Sequence, residues 1–153
     1  MIHNDVLRSV RFLLDVNDVG IANLFSLGGL EVPLADVGAY LRKEGEPGFA
    51  ECPDRAMGAF LDGLVVDRRG RREGEPLRPT EGRVTNNVVL KKLRVAFELR
   101  DEDIVAALAA DEVRISKGEL SALFRQPGHS NYRACGDQFL RNVLAGLGKT
   151  RRR

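Results

Sequence analysis

Tryptophan is absent from the 153 residues, and cysteine, methionine, tyrosine and histidine occur only twice each. Two cysteines as far apart as Cys52 and Cys135 do not form a disulfide framework. With His3 and His129 as the only histidines, Cys52, Cys135, His3 and His129 offer no closely spaced pair of zinc ligands, and no metal site is expected. No apolar run approaches the roughly 20 residues of a membrane span. The opening MIHNDVLRSVRFLLD is broken by Asn4, Asp5, Arg8 and Arg11, so it lacks the apolar core of a secretory signal. A reducing cytoplasm is the expected compartment, with no membrane partner. Also absent are GxxxxGK[ST], GxGxxG, HExxH, GxSxG and EF-hand patterns, and Gly28-Gly29 reads as a helix end.

What is present suffices for a core. At this length about 70% of the unfolded chain's surface can be buried, so 43% hydrophobic residues need no metal or disulfide to fold. The net charge of +2 is unevenly spread: residues 68–83 hold six arginines against Glu73, Glu75 and Glu81, and the end of the chain adds Lys149, Arg151, Arg152 and Arg153. Such segments are often plain solvated ends, but they also attract nucleic acid or acidic surfaces.

The chain overlays on itself at a shift of 83 positions. Asn4, Val6, Leu7 and Arg11 fall on Asn87, Val89, Leu90 and Arg94, and Asp18 and Ile21 on Asp101 and Ile104. Without a gap, Ala39, Arg42, Gly45, Cys52 and Asp54 fall on Ala122, Arg125, Gly128, Cys135 and Asp137, and Leu61, Gly63 and Leu64 on Leu144, Gly146 and Leu147. The chain is therefore expected to be all-α: two tandem copies of a small four-helix unit related by pseudo-twofold symmetry. The copies occupy 1–68 and 86–150, with an Arg/Gly/Pro-rich linker over 69–85 and a basic tail over 151–153.

Within each copy the first helix begins after Asn4 or Asn87, read as its cap, and Val6, Leu7, Val10, Leu13 and Leu14 form one buried stripe. The second helix starts near Asp18 or Asp101. The third has a capping box, Ser116 with Glu119, in the second copy and Pro33 at the matching place in the first, with Gly45 and Gly128 read as left-handed stops after it. The fourth starts at Asp54 or Asp137 and is apolar on more than one face, as internal helices are. Gly63 and Gly146 inside it call for close approach by another helix, for which the counterpart in the other copy is one candidate. A strand over 64–72 is the alternative, since Leu64-Val65-Val66 favours β structure.

Chemistry is sparse. Cys52 precedes a helix start, which favours a thiolate, but no histidine is repeated with it, and Asp54 would raise its pKa; Cys52 and Cys135 read as buried structural thiols. The repeated charges Arg11/Arg94, Asp18/Asp101, Arg42/Arg125 and Asp54/Asp137 balance, as internal salt bridges and caps would. Alternatively Arg42 and Arg125 face a shared groove and grip an anion. Lys91, Lys92 and Arg94 make a basic face which, with the linker and tail, is a possible nucleic-acid footprint, although clustered aromatics for base stacking are missing.

The segments NDVLRSVRFLL, NNVVLKKLRVAF, LRKEGEPGFAECPD and CGDQFLRNVLAGL resemble the bacterial proteins grouped as domain of unknown function family 1456, over essentially the whole chain. The resemblance implies a duplicated cytoplasmic protein with no established activity, cofactor or catalytic residue. Together these readings predict a non-enzymatic interaction or regulatory module without a cofactor. It would bind a protein or form a homodimer through the apolar fourth helices, with nucleic-acid binding as the alternative.

Overall fold

The apolar spacing of the first stretch produces a helix, α1 (His3–Leu14), that buries Val6, Leu7, Val10, Leu13 and Leu14. The same rule, applied along the chain, gives α2 (Asp18–Leu27), α3 (Leu34–Tyr40), α4 (Asp54–Arg69), α5 (Asn86–Ala96), α6 (Asp101–Ala110), α7 (Lys117–Leu123) and α8 (Asp137–Arg151). This computed structural model describes residues 1–70 and 79–151. Among the described residues there is no strand, and residues 64–69 belong to α4. No described helix is long and apolar enough to cross a membrane. The linker positions 71–78 and the tail residues 152–153 lie outside the described residues.

Each copy contributes four helices, and the two fold around one another. Within a copy the second helix crosses the fourth, α2 on α4 and α6 on α8. Between copies the first helix packs along the fourth of the other, α1 on α8 and α5 on α4. These reciprocal pairings are the pseudo-twofold relation. They join Leu7, Phe25 and Phe60 with Leu90, Ile104 and Leu140 in one continuous core. The fourth helices are thus consumed inside the chain: Phe60, Leu61, Leu64, Leu140 and Val143 are fully buried. The apolar faces expected to mediate dimerisation are already covered.

Two local expectations are corrected. Asn4 and Asn87 do not cap α1 and α5, which start behind Ile2 and Thr85. Asn4 sits inside the first turn, fully buried, and its Nδ2 donates to the carbonyls of Tyr40 (2.9 Å) and Ala50 (2.7 Å), while its Oδ1 accepts from Cys52 N (2.9 Å). Asn87 repeats all three bonds with Leu123, Arg133 and Cys135 at 3.0, 2.9 and 2.8 Å. The asparagine staples the loop after the third helix to the first helix, because that loop's backbone groups have no helix or sheet to satisfy them. Gly45 and Gly128 have the left-handed φ expected of them, +85° and +94°, but in a turn beyond the third helix, which ends at Tyr40 or Leu123.

The helix glycines do mark a close approach, made by the second helix of the same copy. A Cβ on Gly63 would overlap the carbonyl of Leu24, and one on Gly146 that of Ala107. The capping box of Ser116 and Glu119 forms as expected.

Candidate functional site

Two surfaces lie between the copies. The first is a cleft of about 580 Å³ on the pseudo-twofold axis, where α1, α4, α5 and α8 all begin. Its walls carry Asp54 and Asp137. His3 Nε2 lies 2.7 Å from an oxygen of Asp54, which also accepts from Val84 N at 3.2 Å. The equivalent Asp137 accepts from Asn86 Nδ2 at 2.7 Å and from the amino nitrogen of Met1 at 2.8 Å. Val84, near the end of the linker, stands 83 positions after Met1, so the two carboxylates meet main-chain nitrogens at matching positions. The hydrogen bond with His3 is the chief reason Asp54 lies below the usual carboxylate range, and the bond from the Met1 amine does the same for Asp137. Both carboxylates are occupied by partners of the fold.

Of the two buried free thiols, that of Cys135 lines this cleft. Burial first, and then the charges of Asp54 and Glu51, push Cys52 up to about 12; burial and Asp137 push Cys135 up to about 11. Among the described residues no three His, Cys, Asp or Glu side chains come together as metal ligands would.

The second surface is a groove of about 720 Å³ between α1 and α8. Its floor is apolar, from Met1, Phe12, Leu144, Ala145 and Gly148, and Phe12 is 56% exposed there. Its rim is cationic: Arg8, Lys43, Arg141 and Lys149 surround a single acid, Asp5. Arg8 is engaged with Asp5 and the Arg42 carbonyl, and Lys149 with Asp111 at 3.0 Å, whereas Arg141 and Lys43 extend from exposed positions.

The equivalent groove between α4 and α5 is filled. There Asp62, only 4% exposed, accepts from both Thr80 N and Thr80 Oγ1 at 2.6 Å and from Lys92 Nζ at 2.9 Å. Gly58 makes room, since a Cβ on it would come within 3.1 Å of the Thr80 carbonyl oxygen. The end of the linker is therefore built into the fold at this point.

The residues singled out from sequence are placed apart. Arg42 lies against Gly48, and Arg125 lines a separate open hollow with Ser121, Ser130 and Tyr132 that does not include Arg42. Lys92 is held by Asp62. Arg94 pairs with Asp101 at 2.8 Å and stacks on Phe124, leaving Lys91 as the exposed member of the 91–94 face. The pair Arg11–Asp18 at 3.4 Å repeats Arg94–Asp101, so these repeated charges form internal salt bridges. Of the linker and tail cations, Arg69 pairs with Glu98 and Arg151 with Asp103. Phe12, Arg141 and Ala145 escaped the sequence reading, which followed identities between the copies. The signal was in the mismatches, Gly58 against Arg141 and Asp62 against Ala145.

The model of the family described as "Protein of unknown function (DUF1456)" matches residues 3–70 and again 86–153. The chain is 46% identical over 147 residues to "Uncharacterized protein YehS" of Escherichia coli (strain K12), an alignment covering 96% of this chain and 94% of that protein. No solved structure matches.

Proposed function

Since the chain belongs to the DUF1456 family of proteins of unknown function, its role has to be read from its own surfaces, and we propose that it is a non-enzymatic interaction module that takes a partner protein in the groove between α1 and α8. The observation that carries this reading is the inequality of two symmetry-related grooves: one seats Thr80 on Asp62 over Gly58, while the other has an exposed Arg141 and an exposed Ala145 at the matching positions beside an apolar floor. Exposed apolar surface concentrated in one concave patch marks interaction sites. The carboxylates of the axial cleft, both occupied by partners of the fold, support a role without catalysis. The internal pairing of Lys92 and Arg94 favours a protein partner over nucleic acid.

The test is a photo-crosslinking residue placed at position 12 and, for comparison, at the equivalent Val95, in the full chain in living bacterial cells. A discrete protein adduct is expected at 12 and not at 95, and it should vanish when Ala145→Trp blocks the groove. No adduct at position 12, equal labelling at both positions, or an adduct destroyed by nuclease would overturn the proposal.

A further inference from the structure

We infer that the second copy holds a small-molecule site of its own, a pocket beside α7 that takes a monocarboxylic acid carrying a single ring or a short apolar chain. The pocket shares no residue with the α1–α8 groove and does not depend on the reading of that groove.

The pocket encloses about 190 Å³ between the connection from α6 to α7 and the start of α8. Its apolar wall comes from Val113 and Ile115 in the connection, Leu123 of α7 and Phe139 of α8; Leu123 is buried, and the other three are half-buried against the core. Arg114, Arg133 and Glu119 line its exposed side. Glu119 is already engaged by the fold, since it accepts from Ser116 N at 3.2 Å and from Arg133 at 3.3 Å. Arg114 has no carboxylate partner among the described residues.

The charge of the ligand follows from a comparison of the copies. At the shift of 83 positions the first copy has Glu31, Ala50 and Glu51 where the second has Arg114, Arg133 and Ala134, so these three positions carry −2 in one copy and +2 in the other. Arginine suits a carboxylate through its paired donors. A cationic ligand would be repelled by both arginines, and a neutral one would leave Arg114 without a charge to pair.

The body of the ligand follows from the wall. The first copy has Tyr40 at the place of Leu123, with its ring 6.2 Å from that of Phe25; the second has Leu123 and Leu108 instead of this pair, and Leu123 forms the inner wall of the pocket. An apolar cavity of about 150 Å³ accepts benzene. The slightly larger pocket therefore has room for one ring or a chain of similar size, with the carboxylate at Arg114. An inorganic anion could meet Arg114 but would leave Val113, Ile115 and Phe139 uncovered, so the apolar body is part of the assignment.

The full chain, labelled with nitrogen-15, would be titrated with phenylacetate as the probe and followed by amide NMR. Saturable shifts are expected at residues 113–115, 123 and 139, with a Kd of about 1 mM or below, within what a ligand of this size can supply. Phenylacetamide, which lacks the charge, and phenethylamine, which reverses it, should bind at least about tenfold more weakly, as loss of a hydrogen bond between charged groups implies. Arg114→Gln, at an exposed position, should weaken phenylacetate by a similar factor and leave phenylacetamide unchanged. Leu123→Tyr, which introduces the first copy's residue, should abolish binding of both; if that variant fails to fold, the shifts mapped on the wild type still decide the location. Shifts confined to other residues, or none up to about 10 mM phenylacetate, would overturn the site. Equal affinity for phenylacetate and phenylacetamide, or full affinity for phenylacetate in Arg114→Gln, would overturn the carboxylate assignment.

Discussion

The two copies share their staples and differ in what lies along their fourth helices. Both hold the loop after the third helix with a first-turn asparagine through three equivalent hydrogen bonds, and both cross the second and fourth helices at a glycine. Their cores are filled differently: Phe25, Tyr40 and Phe60 form an aromatic cluster in the first, with Phe25 and Phe60 centroids 5.5 Å apart, where the second has Leu108, Leu123 and Val143. On the outer face, α4 carries Asp62 and the seated Thr80, and α8 carries Ala145 in place of Asp62. After duplication, main-chain geometry constrains the staples and crossings in both copies alike, while the face that meets the connecting segment is free to diverge.

The harshest way to break the comparison is to add a single carbon at each crossing. In Gly63→Ala and Gly146→Ala the new Cβ overlaps a backbone carbonyl, of Leu24 or Ala107, which no rotamer change relieves. Each substitution should cost more than about 4 kcal/mol, enough to abolish the cooperative thermal transition followed by circular dichroism. Gly118→Ala in α7, where a Cβ meets nothing within 4 Å, should be neutral or stabilising. If Gly63→Ala and Gly146→Ala melt near the wild-type temperature, the crossings are not the rigid joints described.

The asparagines sharpen the comparison. Replacing Asn4 by Ala leaves the Tyr40 and Ala50 carbonyls and the Cys52 amide unpaired around a fully buried position, a loss of about 3 kcal/mol or more. Asn87→Ala breaks the same three bonds at a half-buried position that water can reach, so its cost should be smaller, about 2 kcal/mol. Urea denaturation of the two variants measures the difference. Equal losses would mean that solvent does not reach the second staple.

Much of this architecture was legible in the residues. The shift of 83 positions carried the duplication, and the spacing of Val6, Leu7, Val10, Leu13 and Leu14 carried a buried helix face, because both depend on local chain geometry. Asn4 was misread for a physical reason: a polar residue at a helix start is ordinarily a cap, and only the tertiary fold reveals three main-chain groups waiting around it. The partner of Gly63 was out of reach in the same way, since a glycine signals a crossing but not which helix crosses. The groove was hidden because its residues come from α1 of one copy and α8 of the other, a juxtaposition that exists only once the copies interlock.

The mildest test concerns the turn after the second helix, where both copies use the same left-handed closure with different residues. In the first, Gly29 takes φ +92°, with Gly29 N donating to Ser26 O at 2.9 Å and Leu30 N to Phe25 O at 3.1 Å. In the second, Glu112 takes φ +60°, with Glu112 N on Ala109 O at 3.0 Å and Val113 N on Leu108 O at 2.8 Å. The hydrogen bonds are those of a helix-ending motif that favours glycine at this position. A side chain with a Cβ is strained there by about 1–2 kcal/mol, partly offset by the greater freedom glycine gives the unfolded chain. Glu112 is exposed, so its removal uncovers no packing. Glu112→Gly should therefore stabilise the protein by about 0.5–1 kcal/mol, a rise of about 1–4 °C in melting temperature for a chain of this size, and Gly29→Glu should lower stability by a comparable amount. Calorimetry on both variants decides the point: a Glu112→Gly protein that melts below the wild type would mean that the second copy's turn is held by the glutamate side chain rather than in spite of it.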